Sequence, residues 1–192
     1  MKDTDIKQIA PIHISTAASS LSLAVTMANH IFAVIVVFLS CLAPSVAQGK
    51  NIVILAPHPD DEVLCCAGII YNALQQGNSV TIVVVTNGDF SGVSSGLERE
   101  GETISGMAVL GLSEQNVIFM GYGDQALQGL YRSTSPTTVI TSPAGQTQTY
   151  ATRGLGGVSY HQYLTGVPGP YNRQTILSDM EAMLQNLQPS DV

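Results

Sequence analysis

Residues 51–62 read NIVILAPHPDDE, and this stretch decides the fold. Its first six residues form a short, almost wholly apolar run, which is typical of a strand buried on both faces of a parallel sheet. The segment that follows, residues 60–76, carries apolar side chains at helical spacing and ends at Gly77. The stretch therefore predicts a buried strand that passes directly into a helix.

The same alternation of strand and helix continues along the chain. Residues 80–86 and 116–120 predict two more strands, and residues 97–110 and 173–187 predict two more helices. Strand–helix repeats with short links imply an α/β protein, here a Rossmann-like, three-layer parallel sheet with helices on both faces. Residues 188–192 indicate the turn into a fourth strand, so we expect the sheet to be incomplete at the C-terminus.

Residues 121–172 interrupt this alternation. They are rich in Gly, Ser, Thr, Pro and Tyr and have little periodicity, which predicts a long loop region with a hairpin near residues 138–151. A loop region of this length in a compact domain is usually functional or disordered, and its tyrosines favour an ordered surface. Tyrosine rings also suit stacking on sugars. The tyrosines concerned are Tyr150, Tyr160, Tyr163 and Tyr171.

The segment before the first strand predicts a leader. Residues 31–43 are apolar, and the small residues that follow suit cleavage after Ala47, so residues 1–47 are expected to carry a signal peptide. The alternative is a membrane anchor, because residues 21–43 are just long enough to span a bilayer. Either alternative places the domain of residues 48–192 outside the cytoplasm, as a secreted, periplasmic or membrane-anchored protein.

The charge balance excludes one class of partner. The chain has 7 basic and 14 acidic residues, a net charge of −7, and no cluster of lysine or arginine. Proteins that bind nucleic acid need a basic surface for the phosphates. We therefore expect no nucleic-acid partner.

Three polar side chains follow the first strand where ligand sites of parallel sheets gather. They are His58, Asp60 and Asp61, and Pro59 restricts His58 to an extended backbone. An imidazole and a carboxylate three positions apart, with a second carboxylate between them, suit a hydrolytic metal, because two groups bind the ion while the third activates its water. The alternative is that both aspartates only cap the helix and His58 is a loop histidine.

This His-Pro-Asp-Asp-Glu motif, directly after an apolar strand, resembles the PIG-L/LmbE-like zinc-dependent N-acetylglucosaminyl de-N-acetylases. The resemblance extends over residues 51–192. It implies a hydrolase that removes the acetyl group from an N-acetylglucosamine-type sugar conjugate. It further implies Zn²⁺, or another divalent metal, with His58 and Asp61 as ligands and Asp60 as the general base. Glu62 is expected to help hold the turn.

Two looser matches to the same family concern the substrate. Arg99 begins a segment that resembles the family's Arg-x-x-Glu, and the resemblance implies contact with substrate hydroxyls or phosphate. The alternative is a solvated arginine paired with Glu98 or Glu102. Asp124 matches an aspartate that contacts the sugar or its aglycone in the family, and the alternative is a simple turn aspartate.

The chain also departs from the family. The family's third zinc ligand comes from a His-x-Asp-His-type segment that this chain does not contain, so we expect a truncated chain that binds zinc weakly and is nearly inactive alone. His161 is the other histidine of the predicted domain, and it is a candidate substitute ligand, substrate contact or surface residue. The alternative function is a non-catalytic, secreted carbohydrate-binding domain on the same fold, with its loop tyrosines stacking on glycans.

Overall fold

The computed structural model describes residues 49–192. The leader predicted for residues 1–47, including the membrane-anchor alternative at residues 21–43, lies outside the described residues. Within residues 49–192, no helix combines the length and the apolar character that crossing a bilayer requires.

The described part of the chain contains a sheet of three parallel strands, β1 (Asn51–Ala56), β2 (Ser79–Thr86) and β3 (Val117–Tyr122). Their order in the sheet is β1-β2-β3, so that β2 is central. Ala56 at the end of β1 pairs with Val84 of β2, which aligns the carboxyl ends of neighbouring strands. The strands predicted from the sequence match these bounds to within two residues.

Five α-helices accompany the sheet in the same residues: α1 (Asp61–Gln75), α2 (Val93–Leu110), α3 (Ala126–Arg132), α4 (Tyr160–Thr165) and α5 (Arg173–Leu187). The sequence predicts α1 and α5 to within one residue at each end, while α2 begins four residues earlier than predicted. Gly111 ends α2 with φ 98°, a left-handed conformation that glycine adopts without a steric penalty.

The two faces of the sheet carry separate hydrophobic clusters because successive strand side chains point to opposite sides. On one face, Ile54 and Ile82 pack with residues of α1 and α2. On the other face, Val53 and Val83 pack with residues of α3, α4 and α5, among them Met183. The helices therefore cover both faces, and the predicted three-layer, Rossmann-like α/β class is confirmed.

The region of residues 121–172 differs from its prediction as long loops. It contains α3 and α4, and the hairpin expected near residues 138–151 is absent. Gln148 forms only an isolated antiparallel bridge with Pro170. Both helices are shorter than eight residues, and short helices are stabilised mainly by packing, here of Leu130 and Tyr160 against the core. Such helices leave too little periodicity to be predicted.

The chain adds β2 and β3 on one side of β1, and its next contact with the sheet is on the other side of β1. On the edge of β1 that β2 leaves free, Asp191 forms a parallel bridge with Ile52, where the sequence predicts the turn into a fourth strand. Ligand crevices of open α/β sheets lie where the chain changes sides in this way, outside the carboxyl ends of the strands. Leu55, which was expected to be buried, is 41% exposed because this edge is covered only at its start.

Candidate metal centre

The loop between β1 and α1 holds Asp60 in an unusual backbone conformation. Its φ is 113°, a region that non-glycine residues rarely occupy and that costs about 1–3 kcal/mol. The Asp60 side chain makes no hydrogen bond to the start of α1, so it does not serve as a helix cap. Instead, buried Glu62 accepts the backbone N–H of Asp60 at 3.0 Å, which confirms that Glu62 holds the turn. The strained backbone is thus maintained around a carboxylate that is not used to cap the helix.

Arg99, from α2, fixes the direction of that carboxylate. Its Nη2 donates to Asp60 Oδ2 at 2.8 Å and to the carbonyl of Pro59, and its Nη1 donates to the carbonyl of Gly88 at 3.2 Å. A Cβ at Gly88 would lie 2.1 Å from Nη1, so only glycine leaves room for the guanidinium. The alternative pairing of Arg99 with neighbours on its own helix is therefore wrong. Asp60 stays 57% exposed and accessible to water.

His58 lies between two carboxylates. Its Nδ1 is 3.2 Å from Oδ2 of Asp61, and its Nε2 is 3.3 Å from Oδ1 of Asp124. Oδ2 of Asp61 also accepts the backbone N–H of His58 at 3.1 Å. Asp61 lies in the first turn of α1 and Asp124 follows β3, so elements at the same end of the sheet bring the three side chains together.

The pair of His58 and Asp61 fits a divalent metal. Two ligands that bind one tetrahedral zinc at about 2.0–2.1 Å are about 3.3 Å apart, close to the observed separation of 3.2 Å. The two side chains are 44% and 32% exposed, which leaves space for further ligands. No group of three or more His, Cys, Asp or Glu within residues 49–192 is arranged to hold a metal ion. Within residues 49–192, His58 and Asp61 are thus the pair of side chains whose separation fits such an ion.

Asp124 is held by a residue that the sequence did not single out. Asp89 is fully buried, and its Oδ1 accepts the backbone N–H of Asp124 at 2.7 Å. Its Oδ2 accepts the hydroxyl of Tyr150 at 2.7 Å, and burial together with this bond raises the pKa of the Tyr150 phenol. The available signal was its place directly after β2, at the same end of the sheet as His58.

His161 contacts a buried aspartate, a partner that the sequence did not predict. Its Nδ1 is 2.8 Å from Oδ1 of Asp179, which is itself buried, and the His161 ring is only 18% exposed. Oδ2 of Asp179 accepts the hydroxyl of Tyr122 at 2.8 Å. The structure therefore does not bring His161 into a ligand set with His58 and Asp61, and its role as a substrate contact stays a prediction.

The loop tyrosines do not form an exposed row. Tyr160 and Tyr171 are buried, and Tyr150 directs its hydroxyl to Asp89. Of the four, Tyr163 is exposed, at 51%. Among these four tyrosines, Tyr163 is thus the one whose ring is exposed enough to stack on a sugar.

A cavity of about 250 Å³ opens beside Asp60. Arg99 forms one wall, and the first turn of α1 forms another. The lining residues are Pro59, Asp60, Glu62, Val63, Leu64, Arg99, Glu102 and Thr103. The cavity therefore gives a small molecule access to the Asp60 carboxylate.

The fold and the site together define a Rossmann-like α/β protein with a histidine between two carboxylates at the carboxyl ends of its parallel strands. The family model for PIG-L, GlcNAc-PI de-N-acetylase, matches residues 53–192, and the chain belongs to this family. The family is one of de-N-acetylases that act on N-acetylglucosamine-type substrates, and its members are generally metal-dependent. Comparison with curated protein sequences gave no match.

Proposed function

We propose that the protein is a zinc-dependent amidohydrolase that removes the acetyl group from an N-acetylglucosamine-type sugar conjugate. The observation that carries the proposal is the pairing of His58 Nδ1 with Asp61 Oδ2 at 3.2 Å, beside a strained Asp60 whose carboxylate is not used as a cap. Membership of the PIG-L family supplies the reaction class and the kind of substrate.

Each residue of the centre has a distinct part in this proposal. His58 and Asp61 hold the metal, which supplies Lewis-acid chemistry for a water and for the acetyl carbonyl. Asp60 takes the proton of the attacking water, because its carboxylate is exposed and Arg99 keeps it in a fixed direction. Catalytic zinc normally has three protein ligands, so the two described here form part of the coordination.

The cavity beside Asp60 gives the substrate its place in the proposal. Asp60 and Arg99, which are bonded to each other at 2.8 Å, both line it, while His58 and Asp61 are not among its lining residues. The substrate would therefore reach the metal from the Asp60 side. Arg99 donates three hydrogen bonds, to Pro59, Gly88 and Asp60. A guanidinium has five N–H groups, so it retains donors for a substrate hydroxyl or phosphate.

The test combines metal analysis with acetate release. The purified protein is incubated with N-acetylglucosamine conjugates, before and after treatment with a chelator, and then with zinc added back. We expect acetate release to be lost with the metal and restored by zinc. Sugar binding without acetate release from the naturally full-length protein would overturn the hydrolase and favour the non-catalytic carbohydrate-binding alternative.

We also propose an extracytoplasmic location, on the basis of the apolar residues 31–43 and the small residues before Gln48. The amino-terminal sequence of the protein recovered from cells decides between a cleaved signal peptide and an anchor. A mature chain that begins at Gln48 supports cleavage. A full-length chain in the membrane fraction supports the anchor, and a full-length chain in the cytosol contradicts both.

A further inference from the structure

Asp89 is a fully buried carboxylate with a separate partner for each oxygen. Oδ1 accepts the backbone N–H of Asp124, and Oδ2 accepts the hydroxyl of Tyr150, both at 2.7 Å. A buried carboxylate is costly unless it is hydrogen-bonded in this way. The surrounding backbone is shaped to admit it, because a Cβ at Gly96 would lie 2.9 Å from Cβ of Asp89 and 2.8 Å from the Tyr150 oxygen.

The contact with Asp124 leads from Asp89 to the candidate metal centre. Asp124 is mostly buried, with its side chain 15% exposed, and its Oδ1 lies 3.3 Å from Nε2 of His58. Histidines that bind a metal through one ring nitrogen usually donate the other N–H to a carboxylate, which fixes the tautomer and the ring orientation. Asp61 is hydrogen-bonded to Nδ1 of His58, whereas Asp124 lies 3.3 Å from Nε2 without hydrogen-bond geometry, so a carboxylate faces each ring nitrogen.

We propose that Asp89 is a positioning residue for the metal centre. It holds Asp124 where the Asp124 carboxylate faces Nε2 of His58 at 3.3 Å. From there it would accept the Nε2–H once Nδ1, which contacts Asp61 in this structure, binds the metal. This inference rests on the proposed function, because it assigns Nδ1 of His58 and Asp61 to the metal. It gives Asp124 the role of orienting His58, in place of the contact with the sugar that the family resemblance implies.

The first experiment is a double-mutant cycle read out by zinc affinity. Asp89→Ala is expected to weaken zinc binding by about 10–100-fold, the usual effect of losing an outer partner of a metal ligand. In an Asp124→Ala background, the same substitution is expected to weaken zinc binding by no more than about twofold, because no carboxylate is left to position. The loss of stability in urea should be similar in both backgrounds, since the bond to the Asp124 backbone exists in both.

Two further variants sharpen the cycle. Asp89→Asn keeps an oxygen for the Asp124 N–H, so it should restore zinc affinity to within about threefold of the wild type. Asp179→Ala is the matched control, because it removes another buried carboxylate bonded to a tyrosine, and it should lower stability without changing zinc affinity. If Asp89→Ala does not fold, Tyr150→Phe removes one support of Asp89 and should give the same pattern at smaller size.

A readout without metal separates this inference from the proposed function. The ¹⁵N chemical shifts of the His58 ring are measured in the metal-free protein, where Asp89→Ala should move them and should have no effect in the Asp124→Ala background. A wild type that binds no zinc overturns the proposed function, and the ring shifts then decide the positioning role alone. Equal effects of Asp89→Ala in both backgrounds, or unmoved ring shifts, would overturn the positioning role.

Discussion

The two histidines within residues 49–192 both meet aspartates, but their surroundings differ. His58 is 44% exposed and has a carboxylate near each ring nitrogen. His161 is 18% exposed and is bonded to the single, buried carboxylate of Asp179, which Tyr122 shares. Buried polar groups are normally satisfied inside the fold, whereas ligand groups must remain accessible. The comparison therefore favours His58 over His161 as the histidine accessible to a ligand, because the partner of His161 lies inside the fold.

The largest expected effect concerns Asp60, the proposed general base. Asp60→Asn should lower the rate of acetate release by about 10²–10⁴-fold, the contribution of a general base, while the zinc content stays unchanged. The measurements are acetate release under saturating substrate and metal analysis of the same sample. Asp179→Asn, next to His161, is the control and should keep the wild-type rate. A fully active Asp60→Asn protein would remove Asp60 from the mechanism.

The next effect separates the two histidines directly. His58→Gln should weaken zinc binding by more than about 100-fold, because losing a ligand exceeds the loss of an outer partner. His161→Gln should leave zinc affinity within about twofold, since its Nδ1 is engaged by Asp179. Competition with a chromophoric chelator measures both variants. Equal losses in the two variants would mean that the histidines share one metal, against the comparison.

The sequence predicts the local contacts of His58 well, because the motif that makes them is contiguous along the chain. The residues from His58 to Glu62 are contiguous, and the apolar run before them fixes the end of the strand that carries them. The strand and helix bounds follow from the same periodic pattern. The contacts among residues 58–62 are therefore visible without tertiary information, whereas those of His58 with Asp124 and of Asp60 with Arg99 join separate elements.

The contacts of His161 cannot be predicted from the sequence, because they join residues that are far apart along the chain. His161 and Asp179 are 18 positions apart, and Tyr122 lies 57 positions from Asp179, so their contact depends on how α4 and α5 pack against β3. The link between Asp89 and Asp124 is of the same kind, because the partners are 35 positions apart. Contacts across elements of this sort leave no local pattern, and short helices such as α4 leave little periodicity.

A smaller effect tests the structural role of the His161 cluster. Tyr122→Phe should lower the free energy of unfolding by about 1–3 kcal/mol, because it leaves an oxygen of buried Asp179 without its donor. Burial and the charge of Asp179 raise the pKa of Tyr122, so the phenol stays a donor throughout neutral pH. Urea unfolding measures the effect. Tyr163→Phe, at an exposed ring, is the matched control and should change stability by less than about 0.5 kcal/mol. Equal stability of the two variants would contradict a buried structural cluster.

The smallest expected effect is on the pH dependence of stability, and it comes from the ion pair of Glu114 and Arg153 rather than from either histidine. Arg153 donates to both oxygens of Glu114, at 2.7 and 2.8 Å, and this pairing lowers the pKa of Glu114 to about 2. A carboxyl with a lowered folded-state pKa stabilises the protein fully above its unfolded value of 4.5 and loses that contribution as the pH falls toward 2. The pair is partly exposed, so Glu114→Gln should cost less than about 1 kcal/mol at pH 7.

The difference in stability between wild type and Glu114→Gln should therefore shrink between pH 4.5 and about 2 and stay constant above pH 5. Urea unfolding across this range measures it. A difference that instead changed between pH 6 and 8 would contradict the assignment to the Glu114 carboxyl, because it would mean that a group titrating near neutrality contributes to it.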